Sequence, residues 1–338
     1  MSQRPPYAII GCLLILCFVV HTGWATAVPY LWQTNAAGND VYIYELETFL
    51  LVKQLEVGPN PHGIAAPDDA RVVYISLEHD AAEQGELLWV DPQSYTIRHR
   101  LTVGPEPHAI ATTPDGRWVY VPCRDGYYWV IDAQSQTVAA RIYTGGRPHN
   151  TLASRDGRYM YLSPMGTPKR VTIIDIADDH RIAGHIPFGG SVRPPALSAD
   201  QTFFFQHIDG LNGFQVANIE QRSVIATIAH STALGRFIPI KRLGWLTPQG
   251  FKRCHGLAIR PGQQEIWSVC AEHVTIHDLR PPDFPERHTL QLAGKGYWLT
   301  FSADGHYAFV ALSGRKQVAV VDTETKAVVR HLDAGKAP

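Results

Sequence analysis

The chain has 338 residues, 45% of them hydrophobic, enough for a substantial core in one large all-β unit or two ordinary domains. Thirty basic residues against 31 acidic ones leave a net charge of −1, with no charge run or basic stripe, so the electrostatic footprint expected of a dedicated nucleic-acid binder is missing. The 28 Gly and 24 Pro are dispersed, so the chain turns often and no disordered or low-complexity stretch is expected.

At the N-terminus Arg4 precedes an apolar run, Ala8 to Val20, and then the small residues Ala25-Thr26-Ala27. This pattern predicts a signal peptide over 1–27 and a mature chain from about Val28, placed in the periplasm or secreted. The run is shorter than a membrane-spanning helix, and an uncleaved anchor is the alternative. Removing the segment takes Cys12 and Cys17 with it, leaving three of five cysteines.

The remainder, 28–338, reads as a single β-propeller domain. Tyr30 to Val57 holds three strands with no first strand before them, Val41–Glu45 being the third of a unit and Leu51–Val57 the fourth. The clearest full unit follows later: Val103 to Ala111, the turn Thr113-Pro114-Asp115-Gly116-Arg117, Trp118–Val121, Tyr128–Asp132 and Thr137–Ile142. The first turn recurs at Asp68, Asp156, Asp200, Gly262 and Asp304, and the end of the third strand at Asp91, Asp175, Asn218, Asp278 and Asp322. Asp in these places is turn chemistry, its carboxylate accepting backbone N–H bonds. One position fixes the period: His62, His108, His149, Arg193, His255 and Tyr297, at intervals of 46, 41, 44, 62 and 42. Blades of about 40–45 residues must stack around an axis to bury their faces. The long interval contains an insertion at about 230–250, expected to lid the channel mouth. Six positions give six blades, and the N-terminal strands give a seventh. Gly335-Lys336-Ala337-Pro338 repeats Gly58-Pro59-Asn60-Pro61, so the innermost strand of that last blade is expected from the C-terminus, where it is incomplete. The expected fold is an all-β, seven-bladed propeller of four-stranded antiparallel blades.

The grammar Pro-His-Gly-Ile-Ala, Pro-Asp-Gly-Arg, Val-Tyr-Val and Val-Ile-Asp resembles the YVTN-family propeller repeats of exported bacterial proteins, the YncE-like group. The resemblance covers the mature chain and implies the fold. It leaves activity open, because the wider group includes lactonases, haem-carrying reductases, surface-layer components and proteins proposed to bind single-stranded DNA. Blades four, five and six depart from Pro-His, carrying Val192-Arg193, Cys254-His255 and Gly296-Tyr297.

Residues at one repeat position share a height and radius, so His62, His108, His149, Arg193, His255 and Tyr297 are expected to ring a mouth of the central channel. Three readings stand: loop histidines bonded to nearby carbonyls, a site for an anion or polar small molecule, or a metal or haem site using His62, His108 and His149. Ring spacing weighs against the last, and no carboxylate can be placed beside the histidines from sequence. Cys254 and Cys270 lie symmetrically about the turn at Pro261–Gln264 and so form a candidate cross-strand disulfide, leaving Cys123 free. The motifs for haem attachment (Cys-x-x-Cys-His), the Gly-x-Ser-x-Gly elbow, the P-loop and His-Glu-x-x-His do not occur. The favoured reading is therefore an exported ligand-binding or protein-interaction module. A lactonase-like hydrolase or a metal- or haem-dependent oxidoreductase is the alternative, and a cell-surface scaffold a third possibility. The expected partner is a small molecule or protein at the channel mouth, with the chain a monomer. His180, His185, His207, His273, His277, His288, His306 and His331 share no repeat position and are read as solvated or structural.

Overall fold

The computed structural model describes residues 29–79, 83–232 and 254–338. The predicted signal segment 1–27 and nearly all of the predicted lid at 230–250 lie outside the described residues.

The described residues form seven antiparallel sheets. Six are four-stranded, with strands in chain order from the axis outward: β4–β7 (Pro61–Val103), β8–β11 (Ala111–Tyr143), β12–β15 (Arg147–Pro187), β16–β19 (Val192–Ala229), β20–β23 (Cys254–Gln291) and β24–β27 (Lys295–Asp333). These are blades one to six. The seventh has three strands, β1 (Tyr30–Thr34), β2 (Asp40–Glu45) and β3 (Leu51–Glu56).

Middle strands are largely buried because neighbouring blades cover both of their faces. All of β5 (Val73–Leu77) is buried, whereas the outer strand β7 (Thr96–Val103) alternates between exposed and half-buried positions. Seven apolar clusters each span one interface between neighbouring blades, including Leu31 and Tyr44 of blade seven against Phe309 and Val320 of blade six. That contact closes the circle. The segment after β27 also reaches blade seven: Ala36 N–H donates to Ala337 C=O at 2.9 Å, and Ala37 N–H to Lys336 C=O at 3.0 Å. Residues 335–338 thus lie where the inner strand of blade seven begins.

The turn aspartates act as read. Asp115 Oδ1 accepts Arg117 N–H at 2.9 Å, and Asp91 Oδ1 accepts the Gln93 and Ser94 amides at 2.9 and 2.8 Å. Of the run Phe203-Phe204-Phe205, the last two are fully buried, and Phe203 turns edge-on to Phe284 of blade five at 5.6 Å.

Candidate ligand site at the channel mouth

Each reference residue lies at the start of its blade's inner strand except His108, which comes three residues before β8. In blades one, three, four, five and six the strand register slips there, between Pro61 and Ile64, Arg147 and Asn150, Val192 and Pro195, Cys254 and Gly256, and Gly296 and Leu299. Such a bulge re-aims a side chain that regular pleating would send into the interface between blades.

The rings do not stand apart around an open channel, as their spacing in sequence suggested; they pack on one another. His62 stacks on His108 with centroids 3.8 Å apart, His108 lies 4.0 Å from His149, and His255 stacks on Tyr297 at 3.9 Å. His149 and His255 face across 6.1 Å. The physical reason is glycine. Gly63 and Gly256 each follow the first histidine of a stacked pair, and a Cβ on Gly63 would lie 2.2 Å from the His108 carbonyl oxygen. A Cβ on Gly256 would lie 2.8 Å from Leu299 N. Only a residue without a side chain lets adjacent inner strands approach this far. Ser76 then ties blades one and two together, accepting Gly63 N–H and donating to His108 C=O, both at 2.8 Å.

Glu78, which sequence reasoning missed, supplies the orienting carboxylate. Its Oε1 accepts a short hydrogen bond from His108 Nδ1 and lies 3.5 Å from His62 Nδ1. Asp209 takes the equivalent place in blade four, accepting from Arg193 Nε at 2.7 Å. Both residues come directly after the second strand, their amides donating to the carbonyls of Asn60 and Ser191, each two residues before the reference position. A carboxylate recurring at that repeat position was the available signal.

Burial in this column of rings pushes His62 down to about 3, helped by His108 and opposed by Glu78. Burial also lowers His108 to about 3, with His255, Arg147 and Arg193 adding to the effect. His149 and His255 are likewise held well below the ordinary imidazole range, first by burial and then by neighbouring rings and Arg193. The ring faces are covered, while His62 and His108 keep side-chain exposures of 17% and 18% at their edges. All four imidazoles are therefore neutral at pH 7, each with one bare nitrogen. His108 and His149 commit Nδ1–H to Glu78 and to Asn150 Oδ1, leaving Nε2 as the lone-pair nitrogen. His255 Nδ1 is buried with no hydrogen-bond partner among the described residues.

A cavity of about 700 Å³ opens beside the column, lined by His62, His108, His255, Tyr297 and Trp298, by residues 29–34 at β1, and by Ala337 and Pro338. That size lies within the range of small-molecule sites. Arg193 reaches the column from blade four, its Nη1 2.8 Å from Met165 Sδ. Cys254 and Cys270 are joined by a disulfide directly behind His255, and Cys123 is free and buried.

His207 and His277 are not solvated; both are fully buried, in a hydrogen-bonded group with His230 and Ser268. His180 is also buried, its Nδ1 bonded to Tyr120 OH at 2.6 Å. No helix among the described residues is long and apolar enough to cross a membrane.

The family model described as Cytochrome D1 heme domain matches residues 72–196, fewer than half of the chain. That match takes in Glu78, His108, His149 and Arg193. Among solved structures, hydrazine synthase of Kuenenia stuttgartiensis superposes with a TM-score of 0.71 at 18% identity, covering 92% of this chain and 99% of that one. The dihydro-heme d1 dehydrogenase NirN, solved in complex with DHE, gives a TM-score of 0.67 at 15% identity, over 90% of this chain and 64% of that one. These likenesses establish the fold. No curated protein matches the sequence.

Proposed function

We propose that this chain is an exported propeller that binds a small molecule at the channel mouth, and that an iron tetrapyrrole is the class of ligand it takes. One observation carries the reading: His108 lines a cavity of about 700 Å³ and has its Nδ1 held by Glu78, which leaves Nε2 as its lone-pair nitrogen. A metal-binding histidine characteristically gives its other N–H to a carboxylate in this way. His255, whose Nδ1 has no partner among the described residues, is the second residue that could hold the iron, and Tyr297 and Trp298 offer flat walls. The donor set therefore suits the group. The match of residues 72–196 to the haem d1 domain family supports the same class. A bound iron tetrapyrrole would supply a one-electron redox centre; the residues of this chain would bind it, orient it and keep its nitrogen ligands unprotonated.

Export rests on the 1–27 segment, and the Cys254–Cys270 disulfide accords with an oxidising compartment. The YVTN-type assignment of the repeats rests on their sequence grammar and accords with the same location.

Hemin titrated into protein purified without a histidine tag tests the proposal. The expected result is a shifted, saturable Soret band at one equivalent. His108→Ala abolishes it, and Glu78→Gln weakens binding about 10–100-fold. A Soret band unchanged by both substitutions overturns the proposal.

A further inference from the structure

A second group of histidines lies away from the channel mouth, where blade four meets blade five. His230 directly follows β19, the outer strand of blade four (Ser223–Ala229). His277 is on β22 (His273–Asp278) of blade five, and its register partner across the sheet is Glu286, the first residue of β23 (Glu286–Gln291). One ligand atom from each of the three lies within 4.8 Å of the others, and His230 Nδ1 is 3.0 Å from His277 Nε2. Two nitrogens bound to one tetrahedral zinc at about 2.0–2.1 Å would stand about 3.3 Å apart, so little movement is needed.

The surroundings are those of a metal site. His277 Nδ1–H donates to the Phe284 carbonyl at 2.8 Å, which leaves Nε2 bare and facing His230. His230 Nε2 is 2.8 Å from Ser268 Oγ. Glu286 is held by Ser231 N–H at 2.8 Å, Ser231 Oγ–H at 2.5 Å and Thr289 Oγ–H at 2.9 Å. Each ligand thus has a partner fixing its orientation from behind, as metal ligands do. The arginines nearby do not neutralise Glu286, because Arg280 and Arg287 pair with Asp278. Two imidazole nitrogens and a carboxylate oxygen thus converge on one point, with both imidazoles 1% exposed.

We propose that His230, His277 and Glu286 bind one divalent first-row metal ion of the zinc type, which staples blade four to blade five. The staple lies in the chain on either side of segment 233–253, where the two blades have their longest connection. Without metal, His230 Nδ1–H donates to His277 Nε2, since the proton of His277 is committed to Phe284. With metal, that proton moves to His230 Nε2 and is donated to Ser268 Oγ, which turns its own O–H toward His207 Nε2, 2.8 Å away, with the proton of His207 on Nδ1. No proton is released overall.

The test is zinc and cobalt(II) titration of the full chain, untagged and stripped with chelator, followed by elemental analysis and thermal unfolding. One equivalent is expected in the wild type and in Glu78→Gln, which separates this site from the channel cluster. Cobalt(II) should show visible bands, and zinc should raise the midpoint. Glu286→Gln should weaken zinc binding more than about 10-fold and lose the rise in midpoint. His230→Gln serves as the second variant should Glu286→Gln fail to fold. No bound equivalent in the wild type, or equal zinc affinity in a folded Glu286→Gln or His230→Gln variant, overturns the proposal.

Discussion

Replacing Gly63 by alanine tests whether close approach of the inner strands builds the channel site. The new Cβ would lie 2.2 Å from the His108 carbonyl oxygen, 2.8 Å from Ile110 N and 2.9 Å from Ser76 Oγ. Two of these are backbone atoms, which cannot rotate away, so β4 must move back by about 1 Å to restore ordinary contact. Overpacking of this kind costs about 1–3 kcal/mol. The Ser76 hydroxyl, which bonds Gly63 N and His108 O at 2.8 Å, must also shift, and one weakened hydrogen bond adds about 1 kcal/mol. The expected loss is therefore about 2–4 kcal/mol, read as a lower midpoint in guanidinium unfolding. The same displacement parts the His62–His108 stack, now at 3.8 Å, so hemin affinity should fall as well. A variant within about 0.5 kcal/mol of wild type, with unchanged hemin binding, would refute the link between this glycine and the stacked rings.

Two further outcomes follow from buried groups. His62, His108, His207 and His230 each lie near 3 in the folded protein against an ordinary 6.5, so between those values the unfolded chain binds more protons and stability falls as pH drops. Each such imidazole contributes a slope of up to about 1.4 kcal/mol per pH unit; unfolding midpoints that stay flat from pH 7 to pH 4 would contradict their burial as neutral groups. Reducing the Cys254–Cys270 bridge, which joins residues 16 apart, should cost about 3 kcal/mol, measured as a reductant-dependent midpoint. Cys123→Ser should keep the same dependence on reductant.

The repeat was legible from residues alone. Turn aspartates such as Asp115 and Asp91 recur because each hairpin needs a side-chain acceptor for its amides, and the same local need returns in every blade. The seven-bladed closure follows from that period. Glu78 was not recognised, although it shares with Asp209 the place just after a second strand. Its role depends on a histidine from the next blade, and a period within one blade says nothing about contacts between blades.

Sequence by itself determined which residues occupy the same repeat position, since the same turn and strand grammar recurs around each of them. Tertiary structure alone decided how far apart they stand. That distance is set by backbone approach at Gly63 and Gly256 and by bulges that turn side chains toward the hub. It also decided that His230 and His277, which share no repeat position, face each other at 3.0 Å, because packing between blades pairs residues that no periodicity relates.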